Sequence, residues 1–288
     1  MRALILPVFI PHAGCPHRCV FCNQEATTAV AHAVRPHELR TYVSTYLNAL
    51  EKAKGQPAGK LSPNHRRRPS GSHGIGPRGD GPSPPPELAF YGGTFTNLPL
   101  TQQEEYLASA ADLKREGSVS GTRLSTRPDA LRGEHIDLLL RHEVGTVELG
   151  AQSLDDEVLA LAGRGHTAAD TLRAAGMIRE AGMRLGIQLM PGLPGATLKR
   201  ELDTARRTVE MRPALVRIYP TVVLQGTRLA EWFRQGKYRP LTLERAVDWC
   251  ARMLGIFEEA SIPVIRIGLQ ATPLLDAPRA AAYAGLDR

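Results

Sequence analysis

Apolar runs of strand length alternate with amphipathic stretches along most of the chain. The strand-like runs lie at residues 3–10, 87–93, 122–128, 146–153, 183–195, 215–224 and 262–268. The stretches between them repeat apolar residues at helical spacing, and one helix is predicted to begin near Pro36, a residue suited to a first helical turn. Six or seven strands, each followed by a helix, predict an α/β fold with a parallel sheet and right-handed crossovers.

Two architectures fit this order, a doubly wound sheet and an open or partial (β/α)6 barrel of the TIM type. Periodicity alone does not separate them, and runs that are apolar on both faces predict strands covered by helices. Polar and glycine-rich residues follow five of the strands, at 92–93, 125–127, 152, 190–192 and 219–220. Because barrel enzymes carry their chemistry at the carboxyl ends of the strands, these residues are expected to meet at one mouth.

Residues 52–86 interrupt the pattern with a stretch rich in basic residues and proline. They hold seven Lys and Arg residues against one acidic residue, Asp80, which accounts for +6 of the chain's net charge of +7, and eight of its 22 prolines. Because this composition can bury little apolar surface, it predicts a disordered insertion loop. The loop is interpreted either as a neutral insertion or as a flexible arm for an RNA backbone.

The rest of the chain is long enough for one core domain, expected at residues 1–270, with a tail at residues 271–288. No apolar run reaches the ~18 residues that a membrane-spanning helix needs, so no membrane partner is expected. Four cysteines do not make a disulfide framework for a chain of 288 residues, and a bunched set is more typical of a metal or redox site in a reducing compartment. We therefore expect a cytoplasmic protein.

Three of the four cysteines, Cys15, Cys19 and Cys22, lie within eight positions just after the first predicted strand. A structural zinc site needs four protein ligands, and His12 or His17 would have to be the fourth. A redox pair of Cys19 and Cys22 leaves Cys15 without a role. In a [4Fe–4S] cluster thiolates normally hold every iron, so three cysteines leave one iron open to a small chelating molecule such as S-adenosylmethionine.

One electron from such a cluster breaks a carbon–sulfur bond of S-adenosylmethionine and yields a 5′-deoxyadenosyl radical, which abstracts hydrogen from a substrate. The protein supplies ligation, orientation and exclusion of water. Phe21, just before the last cysteine of the group, is placed to shield the cluster and to pack near the adenine. The chemistry requires an electron donor such as flavodoxin or ferredoxin.

The stretches CPHRCVFC and YGGTFTNLP resemble the radical S-adenosylmethionine (SAM) superfamily, and the resemblance extends over nearly the whole chain apart from the insertion. Further stretches resemble the radical domain of the catalytic subunit of Elongator, a tRNA wobble-uridine modifying enzyme. They are STRPDAL, VELGAQSLDDEVLALAGRGHT, LGIQLMPGLPG and VRIYPTVVLQGTRLAEWFRQGKY. The resemblance implies a radical SAM barrel, a [4Fe–4S] cluster and S-adenosylmethionine as cofactors, and tRNA as a candidate substrate.

The resemblance also implies a role for each matching residue. The implied contacts of S-adenosylmethionine are Phe21, Gly92, Gly93, Thr94, Ser125, Arg127, Gln152 and Met190, and the implied substrate-side residues are Arg164, His166 and Tyr219. The glycine turn would receive the amino group of the methionine part of S-adenosylmethionine, and Ser125 and Arg127 would approach its ribose and carboxylate. The side chain of Met190 would lie along the adenine. The plainer alternatives are a tight turn for the glycines, a core position for Met190, and a solvated helix connection for Arg164 and His166.

Departures from the Elongator pattern limit what the resemblance implies. The Elongator subunit spaces its first two cysteines more widely, and it carries an acetyltransferase domain and an amino-terminal tRNA-binding extension, neither of which we expect in a chain that ends at Arg288. The chain is therefore interpreted as a radical SAM enzyme whose substrate, an RNA or a smaller molecule, is unassigned. The alternatives are a metal-stabilised RNA-binding module without catalysis, and a radical SAM oxidase or methylating enzyme that acts on a small molecule.

Overall fold

A computed structural model describes residues 4–16, 19–28, 30, 32–54 and 84–269. Within them seven parallel strands form one sheet, and the order of the strands in the sheet is their order in the chain. The strands are β1 (Ile5–Phe9), β2 (Glu87–Tyr91), β3 (Gly121–Thr126), β4 (Val144–Gln152), β5 (Arg184–Leu189), β6 (Leu215–Ile218) and β7 (Val264–Ile267). A doubly wound sheet reverses its strand order at a switch point, so that alternative is wrong, and the predicted open or partial barrel is confirmed as a curled half-barrel.

Helices connect the strands. In the described part of the chain they are α1 (Gln24–Thr28), α2 (Leu39–Lys54), α3 (Leu100–Arg115), α4 (Gly133–Arg141), α5 (Asp156–Leu161), α6 (Ala168–Glu180), α7 (Leu198–Glu210), α8 (Arg228–Arg234) and α9 (Leu243–Glu259). The longer ones lie on the outer face of the sheet, whereas α1 lines a cavity and α5 and α8 pack against the cysteine loop. The helix predicted near Pro36 begins with a 3₁₀ turn at Pro36–Glu38 that leads into α2. The short helices α1 and α8 escaped prediction because neither is long enough to show an amphipathic repeat.

The convex face of the sheet packs against the longer helices and forms the hydrophobic core. Phe90 of β2, for example, lies with its ring centroid 5.1 Å from that of Phe95 and 5.3 Å from that of Tyr106 on α3, and all three side chains are buried. Aromatic contacts of this kind add to the free energy gained by removing the rings from water. The core therefore holds the strands, and hence the loops that follow them, in fixed positions.

The concave face carries charged side chains instead. Arg123 of β3 forms ion pairs with Glu87 at 2.7 Å and with Glu148 at 3.0 Å, although all three residues are buried. The expectation that both faces of the strands are apolar is therefore wrong for the concave face. Arg217 of β6 lies over the ring of Tyr91 of β2, 4.7 Å from its centroid. These two strands are four positions apart in the sheet, so the contact spans the interior of the curled sheet.

Parts of the sequence predictions concern residues that the structure does not describe. Most of the predicted insertion loop, residues 55–83, and the whole of the predicted tail at 271–288 lie outside the described ranges. Within those ranges, none of the helices combines the length and the apolar character needed to cross a lipid bilayer.

Candidate functional site

One cavity of about 470 Å³ opens at the carboxyl ends of the strands. The predicted site residues that line it are Cys15, Cys19, Phe21, Cys22, Gly92, Gly93, Thr94, Ser125, Arg127, Gln152, Arg164, Met190 and Tyr219. They lie at or after the carboxyl ends of six different strands, so the fold brings together motifs that are up to about 200 residues apart in the sequence, as expected for the mouth of a parallel barrel.

His166 is the predicted residue that does not line this cavity. Its side chain is buried, and its Nε2 lies 3.2 Å from the backbone oxygen of Ala151. Burial, followed by the charge of Arg164, lowers the pKa of His166 to about 4, so the ring is neutral near pH 7. Arg164 is buried as well. The solvated helix connection considered for these two residues is therefore wrong.

Glycines let the cysteine loop lie directly against the turn after β2. A Cβ atom on Gly93 would stand 2.5 Å from the backbone oxygen of Ala13, a distance that real Cβ atoms do not show. Gly14 adopts a φ of 68°, and a Cβ atom on it would stand even closer to the backbone oxygen of Thr94 and 3.0 Å from the backbone carbonyl carbon of Asn97. The amide of Thr94 donates a hydrogen bond to the Ala13 oxygen at 2.9 Å. The glycine pair is thus a tight turn, and one that shapes the wall of the cavity.

The middle of the cysteine loop is held by backbone groups at the end of α5 and in α8. The amide of Val20 donates to the oxygen of Ala162 at 3.0 Å, and the Val20 oxygen accepts from the amide of Leu229 at 2.8 Å. Phe21 packs beside Met190 against a small buried cluster that contains Val158, Ala162 and Leu193. Cys19 and Cys22, on either side of this anchored pair of residues, therefore have defined backbone positions.

The three thiols border one cavity without converging on a single point. In the described ranges no set of three His, Cys, Asp or Glu side chains is placed to hold a metal ion, and His17 lies outside those ranges. Burial raises the pKa of Cys22 to about 12, with further contributions from Cys19 and Cys15. A thiol in these surroundings loses its proton when a cation compensates the charge, and separate irons of one cluster would do so for three separated sulfurs.

Two buried arginines lie next to Cys19: one donates to its sulfur, and the other holds the backbone of the first. Arg164 donates from Nη1 to the sulfur of Cys19 at 3.1 Å and from Nη2 to the backbone oxygen of Gly150 at 2.6 Å. Arg127 forms a two-point ion pair with Asp129, at 2.8 and 3.0 Å, and donates to the backbone oxygen of Arg164. Among the residues that the structure describes, Nε of Arg164 and Nη1 of Arg127 are buried without a hydrogen-bond partner. Buried donors of this kind need an acceptor, and an anionic group in the cavity would supply one.

Gln152 ends β4 in a strained conformation. Its φ of 68° lies in the left-handed region, and the pairing of β4 with β5 shifts register just before it. The side-chain oxygen of Gln152 accepts a hydrogen bond from Nε2 of Gln188 at 3.1 Å. A non-glycine residue in this region costs on the order of 1–3 kcal/mol, and such strain is concentrated at functional sites. Here it accompanies a buried amide that lines the cavity.

Sequence reasoning missed a charged cluster on the floor of the same cavity. The hydroxyl of Tyr91 donates to Oε1 of Glu148 at 2.6 Å, while Arg217 lies 2.9 Å from Oε2 of Glu148 and donates to the hydroxyl of Tyr219 at 3.2 Å. Burial, followed by the charge of Glu148, raises the pKa of Tyr91, so its phenol stays protonated. A Cβ atom on Gly186 would stand 2.7 Å from Cγ of Glu148, so the glycine makes room for this carboxylate. The sequence carried one signal for this cluster, namely the single charged residues Arg123, Glu148 and Arg217 within otherwise apolar strands.

Two family models match the chain, and both describe one superfamily. The Radical SAM superfamily model matches residues 83–208, and the Radical_SAM C-terminal domain model matches residues 213–285. Together they cover most of the sequence. The chain belongs to the radical SAM superfamily, and it is a radical SAM enzyme.

The curated relatives include tRNA-modifying proteins. The chain is 29% identical over 182 residues to a tRNA uridine(34) acetyltransferase of Methanocaldococcus jannaschii. This match covers 56% of this chain and 34% of that protein. It is 29% identical over 247 residues to the tRNA uridine(34) acetyltransferase of Dehalococcoides mccartyi, a match that covers 78% of this chain and 50% of that protein. It is 28% identical over 190 residues to Elongator complex protein 3 of Saccharomyces cerevisiae, a match that covers 59% of this chain and 34% of that protein. The match thus spans between a third and a half of the length of these relatives.

Solved structures show the same fold. An archaeal Elp3 of Methanocaldococcus infernus with an amino-terminal deletion matches with a TM-score of 0.64 at 19% identity, over 94% of this chain and 61% of that one. Coproporphyrinogen III oxidase from Escherichia coli matches with a TM-score of 0.54 at 18% identity, over 90% and 53%. At these identities the likeness concerns the fold alone, and it agrees with the half-barrel described above.

Proposed function

We propose that Cys15, Cys19 and Cys22 hold a [4Fe–4S] cluster and that S-adenosylmethionine binds beside it in the cavity. The observation that carries this proposal is the shared cavity: three thiols, a glycine turn and the polar ends of the strands all line it. The residues fit the two groups, because the thiols are free of disulfides and buried donors of Arg127 and Arg164 lack an acceptor in the described part of the chain. When bound, the cluster and S-adenosylmethionine would supply reductive cleavage of S-adenosylmethionine to a 5′-deoxyadenosyl radical, which abstracts hydrogen from a substrate.

The chain's own residues would bind and orient S-adenosylmethionine. In this proposal the turn at 92–94 receives the methionine amino group, and Nη1 of Arg127 donates to the carboxylate, since the remainder of its guanidinium is held by Asp129. Ser125 and Gln152 also border the cavity and are assigned to the ribose.

The adenine is assigned to the apolar side of the cavity. Phe21 and Met190, which pack on the same buried cluster, flank this position. Their burial against Val158 and Leu193 supports a role in keeping water away from the reacting groups.

The floor of the cavity is proposed as the substrate side. Tyr219 borders the cavity and accepts from Arg217, which leaves its hydroxyl hydrogen for a bound substrate. Arg164, close to the sulfur of Cys19, is assigned to the cluster side instead. His166, outside the cavity, is assigned the supporting contact with Ala151.

RNA, and tRNA in particular, is the substrate class that we propose. The support is the likeness to relatives whose names state action on tRNA, together with the basic residues at 52–86. An acidic one-electron carrier such as flavodoxin or ferredoxin is proposed as the reductant, and residues 1–270 as a single radical SAM core.

The test is an assay for 5′-deoxyadenosine. The protein is reconstituted anaerobically with iron and sulfide, reduced with dithionite and incubated with S-adenosylmethionine. We expect 5′-deoxyadenosine to form, and to form faster with unmodified tRNA if tRNA is the substrate. A protein that loads four irons and never cleaves S-adenosylmethionine would contradict the proposal, whereas cleavage that tRNA does not stimulate would contradict the substrate class alone.

A further inference from the structure

Arg164 is a buried cation whose charge no carboxylate neutralises in the described part of the chain. It is 6% exposed, and its side-chain hydrogen bonds go to the sulfur of Cys19 and the backbone oxygen of Gly150. Its neighbour Arg127 is different, because Asp129 pairs with that guanidinium at 2.8 Å. The charge of Arg164 therefore acts on the neighbouring cysteines, and its Nη1–H group points at one of them, Cys19.

The position of Arg164 is defined by its surroundings and does not depend on a flexible side chain. Nη2 is held 2.6 Å from the Gly150 oxygen, and the backbone oxygen of Arg164 accepts a hydrogen bond from Arg127. The amide of Arg164 donates to the oxygen of Leu159 at 3.0 Å. With both the backbone and the far end of the guanidinium held, Nη1 stays within 3.1 Å of the Cys19 sulfur.

We infer that Arg164 sets the reduction potential of the cluster through its hydrogen bond to Cys19, an inference that rests on the cluster proposed above. Reduction adds one negative charge, which spreads onto the ligand sulfurs. A cation and an N–H group directed at one of these sulfurs stabilise the reduced state more than the oxidised state, and a buried setting strengthens the effect. Hydrogen bonds to the sulfurs are among the features that set cluster potentials. Arg164 therefore raises the potential and makes the electron easier to deliver.

A purely structural arginine would behave differently. The contact with Gly150 would serve to hold β4 and the turn after α5 together, and its loss would lower stability without changing the affinity of the cluster for an electron. The midpoint potential separates the two roles, because it compares the oxidised and reduced states of the same folded protein.

The experiment is a redox titration of the reconstituted protein without S-adenosylmethionine, followed by electron paramagnetic resonance. Arg164→Met removes the charge and the donor. We expect the electron affinity to weaken at least tenfold, which corresponds to a potential lower by at least about 59 mV for a one-electron couple. Arg164→Lys keeps the charge and should recover part of the shift, while Arg164→Gln keeps a donor without the charge.

The matched control is Arg228→Met. Arg228 is an exposed arginine in an open groove that also contains Cys19 and Cys22, and its guanidinium lies over the ring of Trp232. Its removal changes the net charge by the same amount from a solvated position, so the potential should stay at the wild-type value.

The outcomes separate this inference from the proposed function. Four irons with a wild-type potential in Arg164→Met would overturn the inference and leave the cluster assignment standing. If that variant loads fewer irons, the Lys and Gln variants decide, and equal potentials in those two would overturn the role of the charge. A wild-type protein that takes up no cluster would overturn the proposed function, and this inference with it.

Discussion

The mouth and the floor of the cavity are built in different ways. At the mouth, backbone contacts hold a cysteine loop against a glycine turn, as between Thr94 and Ala13 or between Val20 and Ala162. On the floor, side chains from separate strands hold one another through buried ion pairs, with Glu148 between Arg123 and Arg217. The difference predicts that changes at the mouth remove the cofactor and leave the fold, whereas changes on the floor weaken the fold.

The largest effect is expected at the mouth. Cys19→Ala removes one of the three proposed iron ligands, so uptake of a four-iron cluster should be lost completely. The free energy of unfolding of the cofactor-free protein should fall by about 1–3 kcal/mol at most, because loss of the sulfur leaves Nη1 of the buried Arg164 without this acceptor. Iron and sulfide analysis, together with urea denaturation, measures both quantities.

Cys250→Ala is the control for this prediction. Cys250 is buried in the core on α9, away from the cavity. Its loss should lower stability by about 1 kcal/mol and leave iron uptake unchanged. Equal iron content in the two variants would show that the cysteine loop is not the ligand set.

The next largest effect is expected on the floor. Glu148→Gln keeps the shape of the side chain but leaves Arg217 without its buried carboxylate, while Arg123 still pairs with Glu87. Breaking one side of a buried ion pair costs about 3–5 kcal/mol, and we expect a loss of that order in the free energy of unfolding. The protein that remains folded should still load four irons. Urea denaturation and iron analysis of the same sample measure the two effects.

A double variant sharpens this test. Glu148→Gln combined with Arg217→Met removes both charges and should recover most of the lost stability, since no uncompensated cation is then buried. If the double variant is as unstable as the sum of the two single variants, the ion pair does not account for the floor.

The smallest effect, taken over a single pH unit, concerns a buried carboxyl group that holds the loop after β5. Glu201 is buried on α7 and accepts a hydrogen bond from the amide of Gly192 at 3.1 Å. Burial raises the pKa of Glu201 from 4.5 to about 8. The unfolded chain therefore ionises this group first, so its contribution to stability is full below pH 4.5 and is lost as the pH rises towards 8, by up to about 1.4 kcal/mol per pH unit.

Glu201→Gln should remove this pH dependence. The amide can keep the contact with Gly192, and the variant should gain on the wild type as the pH rises from 4.5 to 8. Thermal denaturation across this range measures the difference. Parallel curves for the two proteins would show that Glu201 is ionised in the folded state.

The mouth could be predicted from sequence because its parts are contiguous motifs at the ends of strands. Cys15, Cys19 and Cys22 lie in one short loop, and the polar residues after each strand converge because the strands are parallel. His166 was misplaced because it shares a motif with Arg164. The intervening Gly165 has a φ of 71°, and the chain turns there. The side chain of Arg164 therefore reaches Cys19, whereas that of His166 contacts the backbone oxygen of Ala151.

The floor could not be predicted in the same way. Arg123, Glu148 and Arg217 stand singly within apolar runs, and each alone reads as an interruption of a strand. What pairs them is the curl of the sheet, which brings Tyr91 of β2 to Arg217 of β6. Periodicity predicts strands and their faces, but it does not predict contacts between strands that are not neighbours.

The central claim is that three cysteines leave one iron of the cluster open to S-adenosylmethionine. The most direct test is the electron paramagnetic resonance spectrum of the reduced protein, recorded before and after S-adenosylmethionine is added. A changed signal in the wild type, with no cluster signal in Cys19→Ala, is the predicted result. A four-iron signal that S-adenosylmethionine leaves unchanged would contradict the claim, because it would mean that every iron already has a ligand.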